Sequence, residues 1–308
     1  MWPRPTLRGL QDDTKTGETM TRSSVITLEN EALSLGLAAK LGASVTSLEF
    51  LGRGERRPVL LGGERPDLRV EDSALFPMAP FANRARDNVI GSGNHRYRLQ
   101  PNTSDPLALH GVAWQLPWDM VELTSTSCLL ELEVTDEFVF GFKLAYRIAI
   151  SGSSVEFELK LANSNDHSIP AGLGLHPYFP RRSDTTIRFP AQTLWPEGPG
   201  HLPTGRIPVP AEFDFSSQRP LPNRWINHCY SGWQGHAQII QPSLGYSLEM
   251  VALNAHCLML YSDPEKNRFA LEPQSHATGE NGPGGSGMMD LPGGDSSSLH
   301  LKLELSEL

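Results

Sequence analysis

The sequence is short of cysteine, of long apolar runs and of positive charge. Its three cysteines, Cys128, Cys229 and Cys257, in 308 residues are too few and too scattered for a disulfide framework or a thiolate zinc site, and imply a reducing compartment. No run of about 18 apolar residues occurs, which excludes a transmembrane helix. The first twenty residues, MWPRPTLRGLQDDTKTGETM, lack the apolar core of a signal peptide. These absences predict a soluble, cytoplasmic protein with no membrane partner. With 26 Lys and Arg against 35 Asp and Glu, a net charge of -9, nothing draws the chain to nucleic acid or to an anionic surface. Walker loop, dinucleotide fingerprint and Gly-x-Ser-x-Gly elbow are all missing, so nucleotide-dependent chemistry is not expected. No His-x-x-x-His or Cys-x-x-Cys pair occurs either, and the spacing of His228 and His236 matches no ligand pattern, so no metal site is predicted.

Turn formers are plentiful, with 28 Gly and 25 Pro, which suits many short strands and counts against a helical bundle. Residues 1–21 are polar and aperiodic and predict a flexible tail, with Met20 an alternative start and residues 1–19 of uncertain membership in the native chain. Residues 22–308 carry no linker-like break and predict one domain. In CLLELEVTD, Leu130, Leu132 and Val134 share a face. In FKLAYRIAI it is Phe142, Leu144, Tyr146, Ile148 and Ile150, and in VEFELKLAN it is Val155, Phe157, Leu159 and Leu161. Period-2 alternation broken by Asp136, Glu137 and Gly141, and then by SGSS, is an antiparallel meander with one buried face. The last residues repeat the pattern with Leu299, Leu301, Leu303 and Leu305. The Gly-rich stretch 280–298 before them is a connection, since a lone strand is no domain. A helix over Ala32–Leu41 is the weaker alternative to strands there, because Gly36 and Gly42 interrupt it. The predicted class is all-β, a large sandwich of antiparallel sheets.

Four stretches concentrate polar groups among Gly, Pro and aromatics where strands run into loops: FPMAPFANRARDN (76–88), LHGVAWQLPW (109–118), GLGLHPYF (172–179) and FALEPQSHATGEN (269–281). His176, between glycines and an aromatic run, is either a core histidine or a proton donor near neutral pH. Glu272 closes the apolar run Phe269-Ala270-Leu271, and a carboxylate there is costly unless paired or used. His110 and Arg84 are weaker individual signals, and an isolated loop arginine is most often a surface ion pair.

Taken together, Asn83-Arg84, Leu109-His110-Gly111, His176-Pro177-Tyr178-Phe179 and Glu272-Pro273 resemble the aldose 1-epimerase, or galactose mutarotase, family, in its order and over nearly the whole chain from Val25. The resemblance implies a β-supersandwich binding a free aldose across a concave sheet face, with no cofactor or metal. It implies interconversion of α and β anomers, with Glu272 as general base on the anomeric hydroxyl and His176 as general acid on the ring oxygen. His110 would share in the proton transfer, while Arg84, Asn83 and Tyr178 would hold the sugar. INHCYSGW (226–233) departs from the family pattern by carrying Asn227 where an Asp is expected, so that Asn227, or His228 instead, would face a sugar hydroxyl. Phe81, Trp114, Trp118, Tyr178 and Phe179 either pack on the pyranose or belong to the core.

Three other readings stay open. A hexose 6-phosphate epimerase would need an arginine cluster, for which Arg86, Arg181 and Arg182 are available. A sugar-binding protein on the same scaffold would not need both His176 and Glu272. A glycoside hydrolase would need a second carboxylate, with only Asp87 or Glu280 to supply it. Monomer and dimer are both compatible with the sequence.

Overall fold

The computed structural model describes residues 25–52, 54–62, 69–135, 139–280 and 287–308. The expected tail over residues 1–21, with Met20, and the Asp136-Glu137 break lie outside the described residues. About half of the chain, 53%, is strand. The helical segments among the described residues are 3-10 turns of three residues each.

The central meander forms as the alternation predicts. Ser127–Val134, Phe142–Ser151 and Ser154–Asn163 pair antiparallel, with Ile148 opposite both Cys128 and Phe157. The inward set Phe142, Leu144, Tyr146, Ile148 and Ile150 is buried while Lys143, Arg147 and Ser151 are exposed. Gly152, at φ 54, occupies the first position of the two-residue turn after Ser151, where the backbone twist calls for positive φ. The C-terminal strand Ser296–Glu307 enters this nine-stranded sheet between Ser154–Asn163 and Tyr246–Leu253. It thus returns to the middle of the sandwich, and Met289–Leu291 before it pairs with Ile169–Ala171.

Near the N-terminus, Leu33–Ala38 is a fully buried strand, so the helical alternative there is overturned. Gly36 sits where the register with Ser44–Gly52 shifts, and a bulge tolerates the residue that would weaken a helix.

The second large sheet, of eight strands, carries the cleft described below. Its central strands are Ile226–Ser231, Cys257–Ser262 and Arg268–Gln274, paired antiparallel. Leu258, Leu260, Phe269 and Leu271 on one face join Tyr146, Phe157, Leu301 and Leu303 of the nine-stranded sheet in one apolar core. Burying each such side chain contributes roughly 1.5–3 kcal/mol, which fixes the register of the three strands. The opposite face then receives every second residue. Asn227 is aligned with Tyr261 and Ala270, and Cys229 with Met259 and Glu272. A one-residue slip would turn Glu272 into the core.

Candidate active site

Glu272 lies within the strand Arg268–Gln274, with Pro273 opposite Leu258, whereas its sequence context suggested a strand end. Its side chain is 3% exposed, and its Oε1 is 3.3 Å from Nε2 of His176, itself 8% exposed. Oε2 accepts a hydrogen bond from Nε2 of Gln274 at 3.0 Å. Burial pushes the Glu272 carboxyl up to about 8, partly offset by the Gln274 amide. Burial likewise drives the His176 imidazole down to about 3. Nδ1 of His176 is buried without a hydrogen-bond partner among the described residues.

Ring stacking aims the imidazole. His176 follows Gly174–Leu175 and precedes Tyr178–Pro180, and its ring lies between Phe76, 4.6 Å away, and Tyr178, 4.5 Å away. Trp114 continues the column behind Phe76 at 5.4 Å. The Arg268 guanidinium closes its other end 4.1 Å over Tyr178. Trp114 is therefore support, and Phe81, Trp118 and Phe179 are core. Only Tyr178 of these five aromatics lines the cleft.

His110 reaches the cleft through strained backbone: His110 and Gly111 both have positive φ, 60 and 67. A Cβ on Gly111 would stand 2.0 Å from the Ala79 carbonyl oxygen, so only glycine fits. The His110 amide donates to the Asn83 carbonyl at 2.9 Å, and its Nδ1 accepts from the Asn83 amide at 3.0 Å. An accepting Nδ1 places the proton of the neutral ring on Nε2. Burial, then the charges of His176 and Arg84, keep this ring well below the usual histidine range. Its plane is edge-on to His176 at 5.4 Å.

Arg84 is held by Asp105, Nε to Oδ2 2.8 Å, with both side chains largely buried. Burial would raise the Asp105 carboxyl, but the Leu107 amide and Arg84 outweigh it and lower it. Asp105 was not legible as a functional residue, because its Asn-Thr-Ser-Asp-Pro setting reads as an ordinary turn. His276 was passed over too, although it follows Glu272 closely in sequence. Its Nε2 accepts from the Ala82 amide at 3.0 Å and its Nδ1 donates to the Ala277 carbonyl at 3.0 Å. It pins the segment carrying Asn83 and Arg84 to the strand carrying Glu272. Burial holds it near 4, hence neutral.

Asn83, Arg84, His110, His176, Tyr178, Asn227 and Glu272, all expected from the sequence, border one cleft, joined by His201, Trp225 and Tyr261, which were not. Its volume, about 220 Å³, is below the roughly 300–1,000 Å³ of pockets for drug-sized ligands. Among the described lining residues Arg84 is the one permanent cation. Arg86 reaches the Pro203 carbonyl, and Arg181 the carbonyls of Pro222 and Pro264. Arg182 does not line the cleft either, so the arginine cluster that a phosphorylated sugar would need is not assembled there. Asp87 and Glu280 lie outside the lining as well. His228 turns away from the cleft, its Nδ1 accepting the Glu197 amide at 3.1 Å and its ring edge-on to Phe213.

Residues 24–303 match the family model described as aldose 1-epimerase. The chain belongs to the aldose 1-epimerase family. It is 30% identical over 297 residues to the uncharacterized protein YphB of Escherichia coli K12, across 92% of this chain and 100% of that one. A crystal structure of a candidate aldose 1-epimerase from the same organism superposes with a TM-score of 0.85 at 29% identity, covering 92% of this chain and 99% of that one. A galactose 1-epimerase from Lactobacillus acidophilus NCFM shares the fold, with a TM-score of 0.74 at 18% identity over 92% and 94% of the two chains. The antiparallel β-supersandwich is thus the fold of this chain, as in its mutarotase-like neighbours.

Proposed function

We propose that this protein interconverts the α and β anomers of a free, unphosphorylated hexose of the glucose or galactose type. The reading rests on the contact between Glu272 and His176 at the floor of a small polar cleft. Mutarotation removes a proton from the anomeric hydroxyl and adds one to the ring oxygen, and expels no leaving group. One base and one acid are its minimum machinery, each worth about 10²- to 10⁴-fold.

Because the two side chains touch, they titrate as a pair that holds one shared proton over the pH range between their shifted values. With Glu272 ionised and His176 protonated, the pair is ready to act on the closed sugar. Glu272 takes the O1 proton, the C1–O5 bond breaks as C1=O forms, and His176 delivers its proton to O5. The pair is left as carboxylic acid and neutral imidazole, the state that burial favours. That state complements the open-chain aldehyde. After rotation about C1–C2, the same transfers in reverse close the ring on the other face. His110, with its proton on Nε2, donates a hydrogen bond beside the ring oxygen. Arg84, Asn83, Tyr178 and Asn227 hold hydroxyls.

A phosphorylated sugar fits less well, since Arg84 is already neutralised by Asp105 and no second arginine lines the cleft among the described residues. The test is polarimetry on freshly dissolved α-D-glucose and α-D-galactose. The expected result is faster decay to an unchanged equilibrium rotation. No acceleration with either sugar would overturn the assignment, and a strong preference for glucose 6-phosphate would overturn the substrate class.

A further inference from the structure

One wall of the cleft is organised by a residue that is not part of its lining. Glu197, 15% exposed in its side chain, gathers three donors on one carboxylate. Oε1 accepts from Nδ2 of Asn227 at 2.6 Å and from Nδ1 of His201, and Oε2 accepts from Nε1 of Trp225 at 2.6 Å. Asn227, His201 and Trp225 all line the cleft. The backbone of Glu197 is held as firmly, by the amide bond to His228 and by a bridge to Pro203. Two successive left-handed residues, Gly200 at φ 66 and His201 at φ 58, bring the His201 ring back onto the carboxylate. Such conformations persist when surrounding contacts over-determine them. Burial alone would raise the Glu197 carboxyl, but the bonds from Asn227, His201 and Trp225 outweigh it and lower it, so it is ionised near neutral pH.

An ionised carboxylate only accepts hydrogen bonds. It therefore dictates which way the Asn227 amide faces: the NH2 must point to Glu197, leaving Oδ1 for the cleft. In the same manner it requires a proton on Nδ1 of His201.

We propose that Glu197 is the specificity-determining positioning residue of this pocket, locking Asn227 and His201 so that this wall presents the Asn227 Oδ1 acceptor to sugar hydroxyls. The charge expected at position 227 has thus moved one layer outward, and the amide relays it. Such a wall favours a neutral polyol and disfavours a phosphate, which brings acceptors and negative charge of its own. This inference rests on the mutarotase reading for its substrate and not for its geometry.

Glu197→Gln tests it. A glutamine offers one acceptor oxygen and an NH2 in place of two acceptor oxygens, so at least one of the three donors meets another donor. Since bonds to a charged group contribute about 1.5–3 kcal/mol, KM for galactose or glucose should rise about tenfold or more, with kcat changed less than about threefold. The double variant Glu197→Gln/Asn227→Asp restores a donor at 197 facing an acceptor at 227. It should recover most of the lost affinity, a rescue that loss of fold integrity would not give. A KM within about twofold of wild type in Glu197→Gln, or no recovery in the double variant, would overturn the proposal. Calorimetric titration with the same two sugars reads the same tenfold difference without turnover. An inactive wild type that still binds sugar and still loses affinity in Glu197→Gln would sink the mutarotase reading alone. Absence of sugar binding by the wild type would overturn both.

Discussion

Nε2 of His176 lies 3.3 Å from Oε1 of Glu272, and each side chain is braced from a different part of the fold. The imidazole is gripped by Phe76 and Tyr178, the carboxylate by Gln274. Bracing of this kind keeps both groups aimed when a sugar separates them, which is the preorganisation acid–base catalysis requires.

Removing the base alone isolates its contribution. Glu272→Gln preserves shape and the bond to position 274, so sugar binding should survive while mutarotation falls about 10²- to 10⁴-fold. Polarimetry paired with calorimetric titration checks this, and undiminished turnover would remove Glu272 from the mechanism.

Turnover should be flat across neutral pH and decline above about 8, where the pair loses its shared proton. A second decline is expected only as the pH falls towards about 3, where His176 gains a proton while Glu272 is already protonated. A pH–rate profile resting on an ordinary histidine midpoint, near 6.5, would contradict the coupled pair.

Stability carries the same signature. The folded Glu272 value lies above its ordinary 4.5, so folding favours the protonated carboxyl. That contribution is complete below 4.5 and is lost as pH rises through about 8. His176 acts oppositely, contributing above its ordinary 6.5 and losing this as pH falls towards about 3. Glu272→Gln, unable to ionise, should therefore show a smaller fall in Tm than wild type between about pH 5 and pH 9. Equal slopes in thermal melts would show that the carboxyl is not perturbed.

Asp105→Asn should free Arg84 from its 2.8 Å ion pair while keeping a hydrogen-bond acceptor. Because Arg84 positions substrate, KM should rise roughly five- to tenfold with little change in kcat, the pattern of lost uniform binding. A fall in kcat at constant KM would assign Arg84 to the chemistry instead.

His276→Phe should act through the fold. It strips the buried Ala82 amide of its acceptor, a loss of about 1–3 kcal/mol, and loosens the segment bearing Asn83. Chemical denaturation reads the first effect directly. An unchanged midpoint would mean that the latch between the two segments contributes nothing.

Much of this protein was determined by its sequence alone. Alternation in Phe142–Ser151, Ser154–Asn163 and Ser296–Glu307 could bury its apolar set only in a sheet, because a period of two presents every second side chain to one side. The four polar clusters likewise revealed His110, His176, Glu272, Asn83 and Arg84, since glycine, proline and aromatics beside titratable groups mark backbone built for close approach. Tertiary structure alone decided who stands behind them. Asp105, Glu197 and His276 act at distances of 2.6–3.0 Å on residues 21, 30 and 194 positions away, and no local pattern records such a partner. It also decided that Asn227 faces the cleft while His228 turns from it, because the buried contacts of Leu258 and Leu260 set the register of the neighbouring strand. That a carboxylate, Glu197, stands behind Asn227 is likewise a fact of packing. A short sequence motif names a side chain, whereas charge is felt through space.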